Sequence, residues 1–188
     1  EWSVAVVEAT PRPLPEACHK VGESSVELGS QHLERLGLGE YLRERHIVKF
    51  GLRFFPGGGH LPIERRTEVG PANEPIVRSY QIDRGRFEED LRGFIEADGA
   101  VLIEGARVAA IDIAPGRAPN RVRVERDGRS TELLCDWVVD ATGRHALLRK
   151  ELKLTRGSRH PASAAWFRVR GRLEINQMVP ASDRAWHA

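Results

Sequence analysis

Apolar and polar positions alternate along the chain with two periods, one helical and one extended. Ser3–Val7 (SVAVV) is a short apolar run that ends at an acid, Glu8, and predicts a buried strand. A proline-rich loop follows, Thr10–Pro15. Val26, Leu28, Leu33, Leu36 and Leu38 then recur at roughly helical spacing, and Ser24 and Glu27 stand at the separation of a capping box. That pattern predicts a helix opening at Gly22-Glu23-Ser24 and a second short one over Glu40–Arg45. Ile47–Phe55 (IVKFGLRFF) is rich in β-branched and aromatic residues and reads as a strand, and Pro56–His60 (PGGGH) reads as a turn. Residues 61–75, with three prolines, read as loop or irregular edge structure.

The second half is more regular. Val77–Ile82 is strand-like, and Asp83 stands where a cap belongs before a helix whose Phe87, Leu91, Phe94 and Ile95 share a face. Gly99 is the expected stop. Short strands follow at Ala100–Ile103, Val108–Ile113, Arg121–Arg126 and Thr131–Leu134, with Asp127-Gly128 as a hairpin signal. Trp137–Val139 reads as a further strand running into Asp140-Ala141-Thr142-Gly143, then a helix over His145–Leu152 and an alternating strand over Ala164–Leu173. The order predicts an α/β fold: a parallel sheet of Rossmann type with a β-meander insertion, together with part of an antiparallel sheet.

Composition narrows the classes. The 188 residues correspond to one domain, or one and a piece. With 40% hydrophobic and 30% charged residues, wholesale disorder is excluded. Lys plus Arg number 29 against 27 Asp plus Glu, and a formal charge of +2 argues against a large nucleic-acid footprint. No run approaches the ~18 apolar residues of a membrane span, and no secretory signal opens the chain. Cys18 and Cys135 lie far apart, as free thiols in a reducing, cytoplasmic compartment would. The seven histidines show no HxH or HExxH spacing, so no metal site is expected. The chain opens at Glu1 without a methionine and stops soon after a polar segment, and so reads as an internal fragment.

Four places could carry chemistry. Glu8, at a strand end, has the position of an acid that accepts hydrogen bonds from a ribose; alone it is equally an ordinary surface acid. In Val21-Gly22-Glu23-Ser24-Ser25-Val26 a glycine permits close approach and a helix start offers free N–H groups, although a well-capped helix needs nothing more. Val138 to His145 delivers an acid and a small-residue turn to the carboxyl end of a strand, or simply turns strand into helix. Arg86, in Asp83-Arg84-Gly85-Arg86-Phe87, could reach a phosphate or ribose, or stand in solvent.

Together VAVVEA, KVGESSVELGSQHLERLGL, YQIDRGRFEEDL, GARVAAI and WVVDATGRHALLRK, in this order, resemble the FAD-dependent hydroxylase and reductase superfamily. VGESSV followed by HIVKFGLRFF is most similar to flavin-dependent halogenases and halogenase-like oxidoreductases. The resemblance implies an enzyme with FAD as cofactor. Glu8 would bind the adenosine ribose, and Gly22, Glu23 and Ser24 would lie near the flavin end. Arg86 would contact ribose or phosphate, and Val108 would hold the adenine by its backbone. Asp140, Ala141, Thr142 and Gly143 would flank the ribityl–pyrophosphate region.

Lys49 matches the halogenase active-site lysine. It stands 26 positions after Glu23, an interval resembling the subgroups that act on phenolic or carrier-held substrates. A partly buried ammonium can hydrogen-bond a hypohalous acid, and a neutral amine can form a haloamine. Strand alternation would equally point Lys49 to water. Residues 1–46 and 81–154 would form the FAD-binding domain, and 47–80 and 155–188 a substrate-facing one. The implied reaction is oxidation of a small organic substrate through a flavin hydroperoxide, with a halide ion and a separate flavin reductase as partners. The competing expectations are a reductase or dehydrogenase of the geranylgeranyl reductase type, which would need no Lys49, and a catalytically silent binding module. The WxWxIP segment of halogenases and the later Gly-Asp segment that grips the flavin pyrophosphate do not occur in the chain.

Overall fold

The computed structural model describes residues 2–15, 18, 22–70, 73, 75–157, 163–167 and 169–187. In chain order its elements begin with β1 (Ala5–Glu8), α1 (Glu27–Leu33), α2 (Gly39–Arg45), β2 (Ile47–Lys49), β3 (Ser79–Gln81) and α3 (Arg84–Ala97). They continue with β4 (Val101–Glu104), β5 (Arg107–Asp112), β6 (Asn120–Arg126), β7 (Arg129–Cys135), α4 (Leu147–Glu151) and α5 (Arg184–His187). The chain divides into two compact units: Glu1–Val21 with Asp83–Pro161, and Gly22–Ile82 with Ala162–Ala188.

The first unit holds a parallel pair and a meander. β1 lies parallel to β4 in the register Ala5↔Val101 to Glu8↔Glu104, so the two acids that end these strands are direct neighbours. Parallel strands need a crossover, and α3 supplies its last element. Phe87 is buried on α3, but so is Arg92, whereas Phe94 is 37% exposed. Gly99 ends the helix as its position predicts: with φ +88 it donates its N–H to Glu96 O, and Ala100 donates to Ile95 O. β5, β6 and β7 follow as an antiparallel sheet in that order. Asp127 and Gly128 both adopt left-handed φ (50 and 71), the geometry of a two-residue type I′ hairpin. Ala106, Ile111, Val122 and Val124 form the buried centre, joined by Val7, Ile103, Val138, Leu147 and Leu148.

The expected strand at Trp137–Val139 does not form. Val138 packs on the core, but Trp137 and Val139 are 76% and 88% exposed, and no strand among the described residues pairs with this segment. Apolar character bends a segment onto a core, but a strand also requires a neighbouring ladder. The helix expected over His145–Leu152 shortens to α4.

In the second unit α1 and α2 are separated by a wide π-type turn, Glu34–Leu38, broken at Gly37 (φ 87). Leu42, Tyr80, Ser30 and Ser79 are fully buried. Burying Leu42 and Tyr80 contributes about 2–3 kcal/mol each relative to leaving them exposed. β2 and β3 form an antiparallel ladder from Ile47↔Gln81 to Lys49↔Ser79.

Here the expected helix start moves. α1 begins at Glu27 with no side-chain cap, and Ser24 instead makes an antiparallel bridge to Gln81. Ile82 donates to Glu23 O and Ser25 to Tyr80 O, so Glu23–Ser25 is an extended segment along β3. The capping box loses to this sheet pairing, and Val26, Leu28 and Leu36 remain exposed. The strand expected over Ile47–Phe55 pairs only through Lys49. Gly51 (φ 117) turns the chain out of the ladder, and Phe54 bridges Val69 alone. Ala164–Leu173 contains no strand among its described residues.

Candidate functional site

Glu8 stands at the carboxyl end of β1. Its backbone is pinned by Ala106, whose N–H donates to Glu8 O at 3.1 Å. Its carboxylate accepts the Thr10 N–H through Oε1 at 2.8 Å, with Arg92 Nη2 3.8 Å from the same oxygen. Oε2 has no hydrogen-bond partner among the described residues, and the side chain is 40% exposed.

Around it runs a network that the sequence pattern did not reveal. Arg92 Nη1 donates to Glu104 Oε1 at 2.6 Å and to Thr10 O at 3.0 Å. Arg12 donates to Glu104 at 2.8 Å and to Glu96 at 2.9 Å. Partial desolvation pushes the Glu104 carboxyl up, but the hydrogen bonds from Arg12 and Arg92 outweigh it and hold its pKa below the usual range. Glu104 and then Glu96 raise that of Arg12. The one signal for this network was a charged residue, Arg92, bordering the apolar face of the helix one turn from Ile95.

Next to Glu8, an open cleft of about 600 Å³ is lined by Ala9, Gly105, Ala106 and Arg107 and by the β6–β7 hairpin from Glu125 to Ser130. β5 is an edge strand of its sheet, so Val108, half-buried in it, lies where a backbone edge can meet a ligand. Its pairing with β6 is irregular between Val108 and Ala110. Arg86 is exposed on the first turn of α3.

Asp140 is differently committed. Oδ1 accepts the Thr142 N–H at 3.0 Å and the Thr142 hydroxyl at 2.5 Å, and Oδ2 accepts the Leu148 N–H at 2.9 Å. Thr142 Oγ1 in turn accepts from Leu147 N at 3.3 Å. These bonds, that of the Thr142 hydroxyl foremost, hold the Asp140 pKa below the usual carboxylate range against partial desolvation. The acid and threonine therefore cap α4. Ala141 and Gly143 (φ 60) are exposed beside them. Residues 140–143 do not line the cleft beside Glu8. The two strand ends nevertheless share a foundation, since Val7 and Val138 pack into one core.

In the second unit Lys49 ends β2 half-buried. Its Nζ donates to Ser24 Oγ at 2.9 Å and to Ser25 O at 2.5 Å. The side chain thus folds onto the Gly22-Glu23-Ser24-Ser25 segment. Glu23 is buried there. Ser25 is fixed by Tyr80, whose N–H donates to Ser25 Oγ at 2.7 Å, and Ser79 Oγ donates to Lys49 O.

An adenosine fits the first of these sites. A carboxylate with one unspent oxygen suits ribose hydroxyls, and an open cleft and a strand edge lie next to it. Asp140 does not fit direct contact with a ligand, because both its oxygens are spent. Comparison with known proteins gives the family. The sequence profile described as "FAD binding domain" matches residues 14–187, and the chain belongs to that family. FAD is its cofactor.

The flavin-dependent halogenase chlA of Dictyostelium discoideum is 31% identical over 150 residues, covering 68% of this chain and 24% of the halogenase. The 6-methylpretetramide 4-monooxygenase of Streptomyces rimosus is 28% identical over 144 residues, covering 77% of this chain and 22% of that enzyme. The chain thus spans about a quarter of the length of these curated relatives. Among solved structures, CmlS, a flavin-dependent halogenase, superposes with a TM-score of 0.63 at 22% identity, over 80% of this chain and 26% of that one, and shares the fold.

Proposed function

We propose that this chain is part of an FAD-dependent oxidoreductase of halogenase or monooxygenase type that acts on a small organic, phenolic substrate in the cytoplasm. The observation that carries the reading is the tether of Lys49 to Ser24 and Ser25. Lys49 folds its ammonium onto the Gly-Glu-Ser-Ser segment that, in this reading, lies toward the flavin end. Doing so fixes one end of a flexible stem and leaves one of three ammonium protons without a partner among the described residues.

Bound FAD supplies the redox chemistry, its reduced form activating dioxygen. The chain's own residues bind and orient. Glu8 accepts the ribose hydroxyls, the Val108 backbone meets the adenine, and Arg86 reaches ribose or phosphate. Gly22 and Glu23 lie toward the flavin end, and Ala141 and Gly143 flank the ribityl–pyrophosphate region. Asp140 and Thr142 act there only through the turn they hold. Lys49 directs an oxidised halogen by donating its remaining N–H to it. A halide ion and a separate flavin reductase are the partners this requires.

The test is the whole protein supplied with FAD, a flavin reductase, bromide and phenolic substrates. Brominated product from wild type that disappears in Lys49→Ala, with FAD binding retained, supports the reading. Bromination undiminished in Lys49→Ala removes the lysine from the chemistry. The similarity to a monooxygenase over 77% of the chain supports a second reading, direct oxygenation. Under it, wild type yields a hydroxylated, halogen-free product and Lys49→Ala leaves the yield unchanged.

A further inference from the structure

We propose that Arg92 is a positioning residue that fixes the Glu8 carboxylate for the adenosine ribose of FAD. The inference rests on the assignment of Glu8 made above and adds what makes that acid usable.

The problem it solves is set by the sheet. Glu8 and Glu104 are register partners at the ends of adjacent parallel strands. Like charges placed side by side on neighbouring strands repel. Left alone, one carboxylate would swing into water, and neither would hold a fixed geometry.

Arg92 reaches this pair from the third turn of α3, with its side chain only 8% exposed. Its fork is divided. Nη1 takes Glu104 Oε1 at 2.6 Å together with Thr10 O at 3.0 Å, while Nη2 faces Glu8 Oε1 at 3.8 Å. The Thr10 N–H donates to that same Glu8 oxygen at 2.8 Å, so the peptide that orients Glu8 is adjacent to the carbonyl that Arg92 holds. Arg12 takes the second oxygen of Glu104 at 2.8 Å and so keeps Glu104 turned inward. The two acids are thereby given different tasks. Glu104 is saturated by two guanidinium groups, and Glu8, next in sequence to the cleft-lining Ala9, keeps Oε2 without a hydrogen-bond partner among the described residues. A carboxylate held in one rotamer before the ligand arrives loses less freedom on binding, which is where pre-organisation gains affinity.

A residue that merely stabilised the unit would weaken every ligand alike. A positioning residue changes discrimination between a ribose that has its hydroxyls and one that lacks them. The experiment therefore measures competition of ADP and of 2′,3′-dideoxy-ADP against FAD on the whole apoprotein. Wild type is expected to prefer ADP by roughly tenfold or more, the range of a hydrogen bond to a charged acceptor. Glu8→Ala should bring the ratio close to one. Arg92→Met should do nearly the same. Arg92→Lys keeps a cation for Glu104 but not the divided fork, and should fall between wild type and Arg92→Met. It also serves as the decisive variant if the methionine protein does not fold. A wild-type ratio in Arg92→Lys, or in folded Arg92→Met, while Glu8→Ala loses it, overturns the role of Arg92 and leaves Glu8 at the ribose. Equal binding of both nucleotides by wild type removes Glu8 from the ribose, and the inference falls with that assignment.

Discussion

At the scale of single residues, Asp140 and Glu8 show how the same side-chain chemistry divides into inward and outward use. Asp140 accepts from Thr142 and Leu148 and caps α4, and its pKa is depressed. A carboxylate depressed in the folded state contributes stability that is complete above its unfolded value, about 3.9, and is lost as pH falls through the folded value. Asp140→Asn should lower the melting temperature by a few degrees at pH 7. The gap from wild type should narrow as the pH drops below about 4. A gap that stays constant down to pH 2 in thermal unfolding would show that the charge is not what caps the helix. The sequence marked both acids from their places at the ends of apolar runs, but a motif does not say whether an oxygen is spent on the protein's own backbone. Arg92 stayed hidden for a related reason. Periodicity sorts residues by apolar character, and a buried guanidinium paired with Glu104 is apolar in place but not in composition.

Elements with a local cause were the ones readable from sequence. Gly99 and Asp127-Gly128 mark stops and turns through backbone angles that few other residues accept, and both occur where expected. Gly99→Ala tests this directly. Nothing lies within 4 Å of the Cβ it would add, so any effect comes from the left-handed backbone alone. Destabilisation of about 1 kcal/mol is expected, read as a lower urea midpoint with an unchanged m-value. No change would mean that the helix ends by another route. Elements whose existence depends on a distant neighbour were misread. Trp137–Val139 has strand composition without a partner ladder, and the Ser24–Glu27 capping box gives way to pairing with Gln81. The sequence left the direction of Lys49 open, inward or outward. Alternation alone does not fix its direction, and the extended course of Glu23–Ser25 beside β3 gives its ammonium something to hold.

For the molecule as a whole, the question is which of these interactions serve the fold and which serve the cofactor. Ligand binding to the native state alone raises stability by RT ln(1 + [L]/Kd), about 2.7 kcal/mol when FAD stands at a hundred times its Kd. Added FAD should therefore raise the melting temperature of the wild-type protein. A group that contacts the cofactor changes that increment, whereas a group that only holds the fold changes the starting point. Glu8→Ala removes an acid with one oxygen unspent and should leave the cofactor-free melting temperature close to wild type while shrinking the increment. Asp140→Asn should do the reverse, with a lower start and an undiminished increment. The contrast is possible because both acids rise from one core, through Val7 and Val138, so a general loosening of the unit would move both quantities in both variants. If Asp140→Asn loses the FAD increment while Glu8→Ala keeps it, the 140–143 turn rather than the β1 end is what grips the cofactor, and the assignment of inward and outward acids is reversed.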